Sequence, residues 1–423
     1  MIEHREILPG VTLRCFRDSR FKQGCLSFQL VRRMDRGEAA MNALLPAVLL
    51  RGTENHPDLR TITQHLDALY GASVSTLVRR VGDYQTVGVY CGFMDDRFCL
   101  EGDRVLAPMM AFLEEILLHP LLEEGVFHSG IVESEKKNLI ATIESQLNDK
   151  RAYAMAQLLK TMCREDSFGL PRLGEPEDVA EIEAGALYAH YRKLLRESPI
   201  QIFYVGTAES DDVESLLKPW LSRLDRDLIT LPAQSAFQMC QGSRVEETME
   251  VSQGKLCLGL TTSITNRSPE FPAMQLMNTI FGAGMTSKLF MNVRERLSLC
   301  YSIGSGYYGA KGIVTVSAGI DFDKEQLTRE EILRQLDACK RGEITEGELN
   351  AAKEAILSSL RATHDSPGAI EGYYATAALS GMNMTPAQYM AAVEAVNLEQ
   401  VVAAANTLQL HTTYFLKGET ECI

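Results

Sequence analysis

The length, composition and charge of the chain set its broad class. A chain of 423 residues exceeds what one hydrophobic core usually supports, so we expect two domains of roughly 200 residues each. Its 45% apolar and 23% charged residues are typical of a globular protein and exclude a disordered or fibrous one. The net charge of −14 argues against a nucleic-acid partner, which requires clustered basic residues.

The first half of the chain alternates between strand and helix patterns. Residues 23–31 are expected to form a strand, and residues 38–51 and 60–70 are expected to form helices. Strands at 73–80 and 84–91 flank Gly82-Asp83, a turn signal that is typical of a hairpin. The elements expected after this hairpin are helices at 102–119, 123–150 and 152–164, a closing strand at 200–205 and a helix at 211–224.

The second half repeats the order of the first. Residues 23–26 match residues 253–256, and at the same offset Gly52 matches Gly282. Each half also has a long late helix, in which residues 137–149 match residues 353–365 at a nearby offset. The order predicts a duplicated α+β unit, with domains at 1–225 and 245–423 and a Pro- and Ser-containing linker at 226–244.

Several classes of site and location are excluded by the same sequence. No apolar run reaches the length of about 18 residues that a membrane-spanning helix needs, and the first residues lack a secretory signal pattern. We therefore expect a cytoplasmic protein with no membrane partner. The ten cysteines contain no Cys-x-x-Cys pair and the eight histidines no His-x-x-x-His spacing, so no metal motif is visible.

Two segments of the second half are specific. Residues 281–290 read FGAGMTSKLF and contain a glycine-rich turn at Gly282 and Gly284, and residues 293–303 read VRERLSLCYSI. Together they resemble the signature of the insulinase/pitrilysin (inverted zincin) metallopeptidases. The resemblance covers nearly the whole chain. It implies an α+β fold of two homologous metallopeptidase-like domains of the LuxS/processing-peptidase type, each an antiparallel-rich sheet packed with helices.

The resemblance also implies that the zinc site of this family has been lost. Active members carry His-x-x-Glu-His on the first helix and a glutamate ligand on the late helix of the first half. Alignment on Gly52-Thr53 places residues without metal-binding side chains at the first motif, and the late glutamate is also missing. The degenerate zinc-site positions are Ala43, Pro46, Ala47, Ala141 and Thr142. We expect no metal or other cofactor in this chain, and no peptide hydrolysis by the chain alone.

The second-half signature implies a role in another subunit's active site. Arg294 and Tyr301 match the family's arginine and tyrosine, which face the zinc of the opposite half and hydrogen-bond the substrate. A guanidinium can fix the carbonyls of an extended peptide, and a phenol can donate to a developing oxyanion. Half-length members of the family work as two-chain assemblies. The implied partner is a paralogous, zinc-bearing subunit, the implied substrate is an extended peptide, and the chain has no catalytic residue of its own.

Three alternatives stay open at this point. The chain could be a purely structural core subunit, in which Arg294 and Tyr301 serve packing, or a peptide-binding homodimer without protease activity. An independent serine or cysteine enzyme is disfavoured, because no nucleophile has a recognisable base. A narrower resemblance lies in residues 66–72, LDALYGA, which are similar to bacterial insulinase-family proteins associated with elongation factor P modification.

Overall fold

The structure, a computed structural model, describes residues 2–238 and 240–418. These residues form a mixed α+β architecture, as the sequence predicts. The strands, in chain order, are β1 (Ile2–Leu8), β2 (Val11–Arg17), β3 (Gln23–Arg33), β4 (Ser73–Val81), β5 (Tyr84–Met94), β6 (Leu122–Glu123), β7 (Val126–Phe127), β8 (Ile200–Gly206), β9 (Arg244–Thr248), β10 (Gly254–Thr261), β11 (Ser302–Tyr308), β12 (Ile313–Ile320) and β13 (Gln409–Lys417).

Helices connect and cover these strands. Two π-helical segments, Thr279–Ala283 and Leu289–Arg296, follow the first helix of the second half. The α-helices, in chain order, are α1 (Arg36–Leu49), α2 (Leu59–Ala68), α3 (Leu106–Leu118), α4 (Ser129–Ser145), α5 (Lys150–Met162), α6 (Pro176–Ala180), α7 (Ala184–Glu197), α8 (Ser210–Leu221), α9 (Phe271–Asn278), α10 (Glu325–Lys340), α11 (Glu346–Ala362), α12 (Pro367–Ser380), α13 (Pro386–Ala395) and α14 (Leu398–Asn406). No helix in the described part of the chain is long and apolar enough to cross a bilayer.

Two sheets share one topology over five strands, and the first sheet has β1 as a sixth, edge strand. The first has the strand order β1-β2-β8-β3-β5-β4, and the second has the order β11-β12-β10-β13-β9. In each sheet the central strand, β3 or β10, pairs antiparallel with two neighbours. Beyond them, β2 lies parallel to β8, and β9 lies parallel to β13. The shared path agrees with the repeat that is visible in the sequence.

The chain divides in space into two compact units that are discontinuous in sequence. The first consists of Met1–Glu144, Pro171–Ala233 and His364–Thr376, and the second of Ser145–Leu170, Gln234–Thr363 and Ala377–Ile423. Each unit therefore contains a short segment from the opposite half of the chain. The predicted linker at 226–244 divides the sequence into two continuous homologous domains. That division is a different one from the two compact units, and it stays a prediction.

In the first unit, the borrowed segment brings a buried carboxylate onto the sheet. The side chain of Glu371 on α12 is fully buried, and Arg79 of β4 donates to both of its oxygens at 2.9 and 2.8 Å. Ser27 and Gln29 of β3 donate to the same carboxylate at 2.6 and 3.0 Å. Burial of a charge is tolerated where it is paired and hydrogen-bonded, and Glu371 meets both conditions.

In the second unit, the borrowed helix α5 packs on the sheet and ends near a buried ion pair. Ala154 and Leu158 of α5 join Cys257 and Tyr414 in an apolar cluster. Beyond the end of α5, Asp166 lies 2.9 Å from the Nζ of Lys311, and both side chains are almost fully buried. The nine described cysteines are free thiols.

One predicted helix, at residues 123–150, is wrong. Residues 123–150 do not form a single helix, because β6 and β7 first make a short hairpin. Its turn places Glu124 and Gly125 at φ 52° and 82°, in the left-handed region that favours glycine. Helix α4 then ends at Ser145, and α5 begins after Asp149, whose carboxylate caps it. The expected strands and helices elsewhere in the first half are found, with ends shifted by a few residues.

Candidate functional site

Three of the predicted zinc-site positions, Ala43, Pro46 and Ala47, lie on α1, the helix that follows β3. Asp35 caps this helix by accepting a hydrogen bond from the backbone N–H of Gly37 at 2.8 Å. Ala43 and Pro46 are buried, and Ala47 is half-buried. Their side chains are methyl groups and a pyrrolidine ring, so this face of α1 offers no side-chain lone pair to a metal.

The late helix α4 does not supply a ligand either. Ala141 has only a methyl group, and the hydroxyl of Thr142 donates to the backbone carbonyl of Asn138 at 2.8 Å. On the preceding turns of α4, the buried carboxylate of Glu135 pairs with Arg51 and accepts from Asn138 at 3.2 Å. Zinc requires at least three protein ligands, and among the described residues no three His, Cys, Asp or Glu side chains are arranged to hold a metal. The residues present do not fit the family's zinc.

Polar side chains anchor α1 to its unit instead. Asn42, which precedes Ala43, is fully buried, donates to Gln85 of β5 at 2.8 Å and lies 2.7 Å from the Nε2 of His190 on α7. Burial lowers the pKa of His190 to about 4, so this imidazole is neutral at physiological pH. A neutral Nε2–H can donate to the Asn42 carbonyl oxygen. The cluster is structural, and it holds α1, the helix that contains Ala43, Pro46 and Ala47, in place.

In the second unit, Arg294 lies on the π-helical segment Leu289–Arg296. Its guanidinium carbon is 4.7 Å from the centroid of the Phe290 ring, and its Nη1 is 3.7 Å from the carboxylate of Glu295. The side chain is 40% exposed. Stacking on an aromatic face orients a guanidinium without using its N–H donors, so Arg294 is held and can still bind a ligand.

Tyr301 lies directly before β11, the edge strand of the second sheet. Its backbone N–H donates to the carbonyl of Gly319 on β12 at 2.8 Å, which fixes the main chain. Tyr301 is 54% exposed, and its phenol donates to a carboxylate oxygen of Asp321 at 2.6 Å. Lys324 pairs with the other oxygen of Asp321 at 2.8 Å. The phenol proton of Tyr301, which we expected to be donated to an oxyanion, is therefore donated to Asp321 in this structure.

Arg294 and Tyr301 line one open cleft of about 350 Å³. The structure therefore brings together the two residues that the signature singled out. The cleft also contains Asp321 and Lys324, which the sequence analysis missed. Their only local signal is an Asp and a Lys three positions apart after a strand, a common surface pattern that does not indicate a site by itself. The complete lining is Arg294, Glu295, Ser298, Leu299, Cys300, Tyr301, Asp321 and Lys324.

The two glycines of the signature have different surroundings. Gly282 belongs to the π-helical segment Thr279–Ala283 rather than to a turn. A Cβ at this position would lie 2.7 Å from both Leu289 Cδ1 and Ser305 Oγ, so close packing against β11 requires glycine. Gly284 follows the segment and has open space around it. Gly282 therefore seats the helix that carries Arg294, whereas Gly284 has no packing requirement.

The segment 66–72 forms the end of α2. Tyr70 has φ 60° and Gly71 has φ 70°, so the chain reverses through two left-handed residues. The Tyr70 phenol donates to Asp103 at 2.7 Å and accepts from the backbone N–H of Leu100 at 3.0 Å. These contacts make Tyr70 the anchor of the loop before α3, a role that is structural within the first unit.

Comparison with known proteins identifies the family. The family model "Peptidase M16 inactive domain" matches residues 181–356. The "Probable inactive metalloprotease YmfF" of Bacillus subtilis is 31% identical over 409 residues, which cover 97% of this chain and 96% of the relative. The "Uncharacterized zinc protease YmxG" of the same species is 26% identical over 295 residues, covering 68% and 71% of the two chains.

Solved structures show the same fold over the full length. A conserved protein from Enterococcus faecalis V583 superposes with a TM-score of 0.92 and 27% identity, covering 100% of both chains. A peptidase M16 inactive domain from Pseudomonas fluorescens superposes with a TM-score of 0.81 and 17% identity, covering 99% and 98%. The signature residues, the duplicated sheet and the near-complete match to a 31% identical relative agree. The chain belongs to the M16 peptidase family, the insulinase/pitrilysin family that its sequence resembles.

Proposed function

We propose that this chain is the noncatalytic subunit of a two-chain M16 zinc peptidase of the cytoplasm. A paralogous family member of similar length holds the zinc, and this chain contributes Arg294 and Tyr301 to the peptide bound there. The observation that carries the proposal is the contrast between the two candidate sites. The zinc positions hold alanine, proline and a threonine whose hydroxyl is bonded to the backbone, whereas the Arg294 side chain is 40% exposed and Tyr301 is 54% exposed in an open cleft.

The exposure of Arg294 favours binding over packing. A purely structural subunit has no need of an oriented guanidinium whose contacts in the described chain are stacking on Phe290 and a loose ion pair with Glu295. Guanidinium donors bind the carbonyls of an extended peptide, and holding a substrate in position is itself a large part of catalysis. The relatives are consistent with a division of labour, because Bacillus subtilis has one named as an inactive metalloprotease and another named as a zinc protease.

The test is kinetic and uses the complex with the zinc-bearing partner. Arg294→Ala is expected to lower kcat/KM for peptide cleavage by about 10- to 100-fold, the loss of a hydrogen bond from a charged donor. The matched control is Arg296→Ala, two residues along the same segment, exposed and outside the cleft. The amount of complex recovered should be unchanged in both variants.

Two results would move the assignment to an alternative. Wild-type cleavage by the Arg294→Ala complex, with assembly intact, would make this chain a structural core subunit. Recovery of the chain only with copies of itself, with peptide affinity that depends on Arg294, would favour the peptide-binding homodimer. Either result contradicts the proposed contribution to a partner's active site.

A further inference from the structure

The phenol of Tyr301 donates its only O–H hydrogen bond to another side chain of the same chain. A phenol has one O–H donor and two lone pairs, and the donor points to Asp321 at 2.6 Å. A hydrogen bond to a carboxylate is among the stronger ones, since the acceptor carries a charge. The exposed side of the phenol oxygen therefore presents lone pairs to the cleft. In this state Tyr301 can accept a hydrogen bond from a ligand, and it cannot donate one.

The carboxylate that holds Tyr301 is itself held. Lys324 pairs with Asp321 at 2.8 Å, and its Nζ lies 3.5 Å from the carbonyl of Ser298. Ser298 has φ 48°, so the chain bends sharply there between Arg294 and Tyr301. The hydrogen bonds from Lys324 and Tyr301 lower the pKa of Asp321, and the bond to Asp321 raises the pKa of Tyr301. The phenol keeps its proton and the carboxylate its charge at neutral pH.

Two residues that line the cleft have opposite hydrogen-bonding character. Arg294 has only donors, whereas Tyr301 in this arrangement offers only lone pairs. An extended peptide presents a carbonyl acceptor and an N–H donor at every residue. A donor and an acceptor on one surface therefore match a peptide backbone and do not depend on its side chains.

We propose that Tyr301 binds the backbone N–H of an extended peptide as a hydrogen-bond acceptor, and that Asp321 and Lys324 are the positioning residues that set this polarity. The inference rests on the proposed function and deepens it. The phenol then contributes to ground-state binding of the peptide, not to stabilisation of an oxyanion. Loss of Tyr301 should raise KM and leave kcat nearly unchanged, because binding that is equal in ground and transition states affects only KM.

The test removes single N–H groups from the ligand. The probe is a fluorescein-labelled unstructured peptide and a set of its esters, each with one backbone N–H replaced by oxygen. Binding is measured on the complex after zinc has been chelated, so that no cleavage occurs. One ester should bind the wild-type complex about three- to tenfold more weakly than the parent peptide, the size of one lost hydrogen bond. The same ester should bind the Tyr301→Phe and Asp321→Ala complexes as well as the parent does.

The matched control is Tyr70→Phe, which breaks a similar exposed hydrogen bond between a tyrosine and an aspartate, in the first unit. Its ester profile should match the wild type. The inference is overturned if each ester binds the Tyr301→Phe complex with the same affinity relative to the parent peptide as it binds the wild-type complex. It is also overturned if Asp321→Ala raises kcat, because the Tyr301 phenol would then act as a donor that Asp321 restrains in the wild type. If Arg294→Ala alone weakens binding, the proposed function stands without this inference. If the wild-type complex binds no peptide, or if neither the Arg294 nor the Tyr301 variant changes binding, both fail.

Discussion

Because the Glu371 carboxylate is buried, we expect Arg79→Met to lower the stability of the protein much more than Glu371→Met does. Arg79→Met leaves a fully buried anion with only the Ser27 and Gln29 donors, whereas Glu371→Met leaves Arg79, whose side chain is 33% exposed and can reach water. Removing one partner of a buried ion pair and leaving the charge uncompensated costs about 3–5 kcal/mol. Glu371→Met leaves the Ser27 and Gln29 donors without their carboxylate acceptor, which costs about 1–3 kcal/mol. These two side chains already hydrogen-bond each other at 2.9 Å.

Thermal unfolding measures both effects. A loss of 1 kcal/mol lowers the Tm of a domain of this size by about 2–4 °C, so Arg79→Met should lower it by the order of 10 °C and Glu371→Met by clearly less. The double variant should be close to Glu371→Met, because the buried anion is then absent. The control is Arg20→Met, since Arg20 pairs with Asp18 at the surface and its side chain is 59% exposed. A Glu371→Met variant at least as unstable as Arg79→Met would refute the reasoning.

Three further outcomes are expected. Lys311→Met should lower the free energy of unfolding of the second unit by about 3–5 kcal/mol, measured by denaturant titration, because its carboxylate partner stays buried. A variant with Ala43→His, Pro46→Glu and Ala47→His should still contain less than stoichiometric zinc by metal analysis, since the third ligand is absent. Burial lowers the pKa of His190 from 6.5 to about 4, so stability should fall as pH drops through this interval, and less steeply in His190→Gln.

Much of the fold could be predicted because its signals are local. The hairpin of β4 and β5 was predicted from Gly82-Asp83, and Gly82 has φ 58° in the turn. The two strongest site residues, Arg294 and Tyr301, were predicted from one short signature, and the structure places both in one cleft. Resemblance to elongation factor P-associated proteins stays a prediction, because residues 66–72 have a structural role that explains them.

Other features depend on contacts that no local pattern contains. The end of α4 at Ser145 separates two helices that belong to different compact units, whereas the predicted helix continues to residue 150. Glu371 meets Ser27 and Arg79 only because α12 returns to the first sheet. Asp321 acquires significance only through its 2.6 Å contact with Tyr301, which reverses the expected polarity of that phenol.

Zinc analysis of the native complex tests the central claim most directly. The chain is recovered from its own cells with whatever binds it, the subunits are separated under conditions that retain metal, and zinc is measured on each. We expect about one zinc per two-chain complex, located on a paralogous M16 subunit, and none on this chain, because zinc needs three protein ligands and the described residues contain no such set. Stoichiometric zinc on this chain, or a complex without a zinc-bearing subunit, would contradict the account.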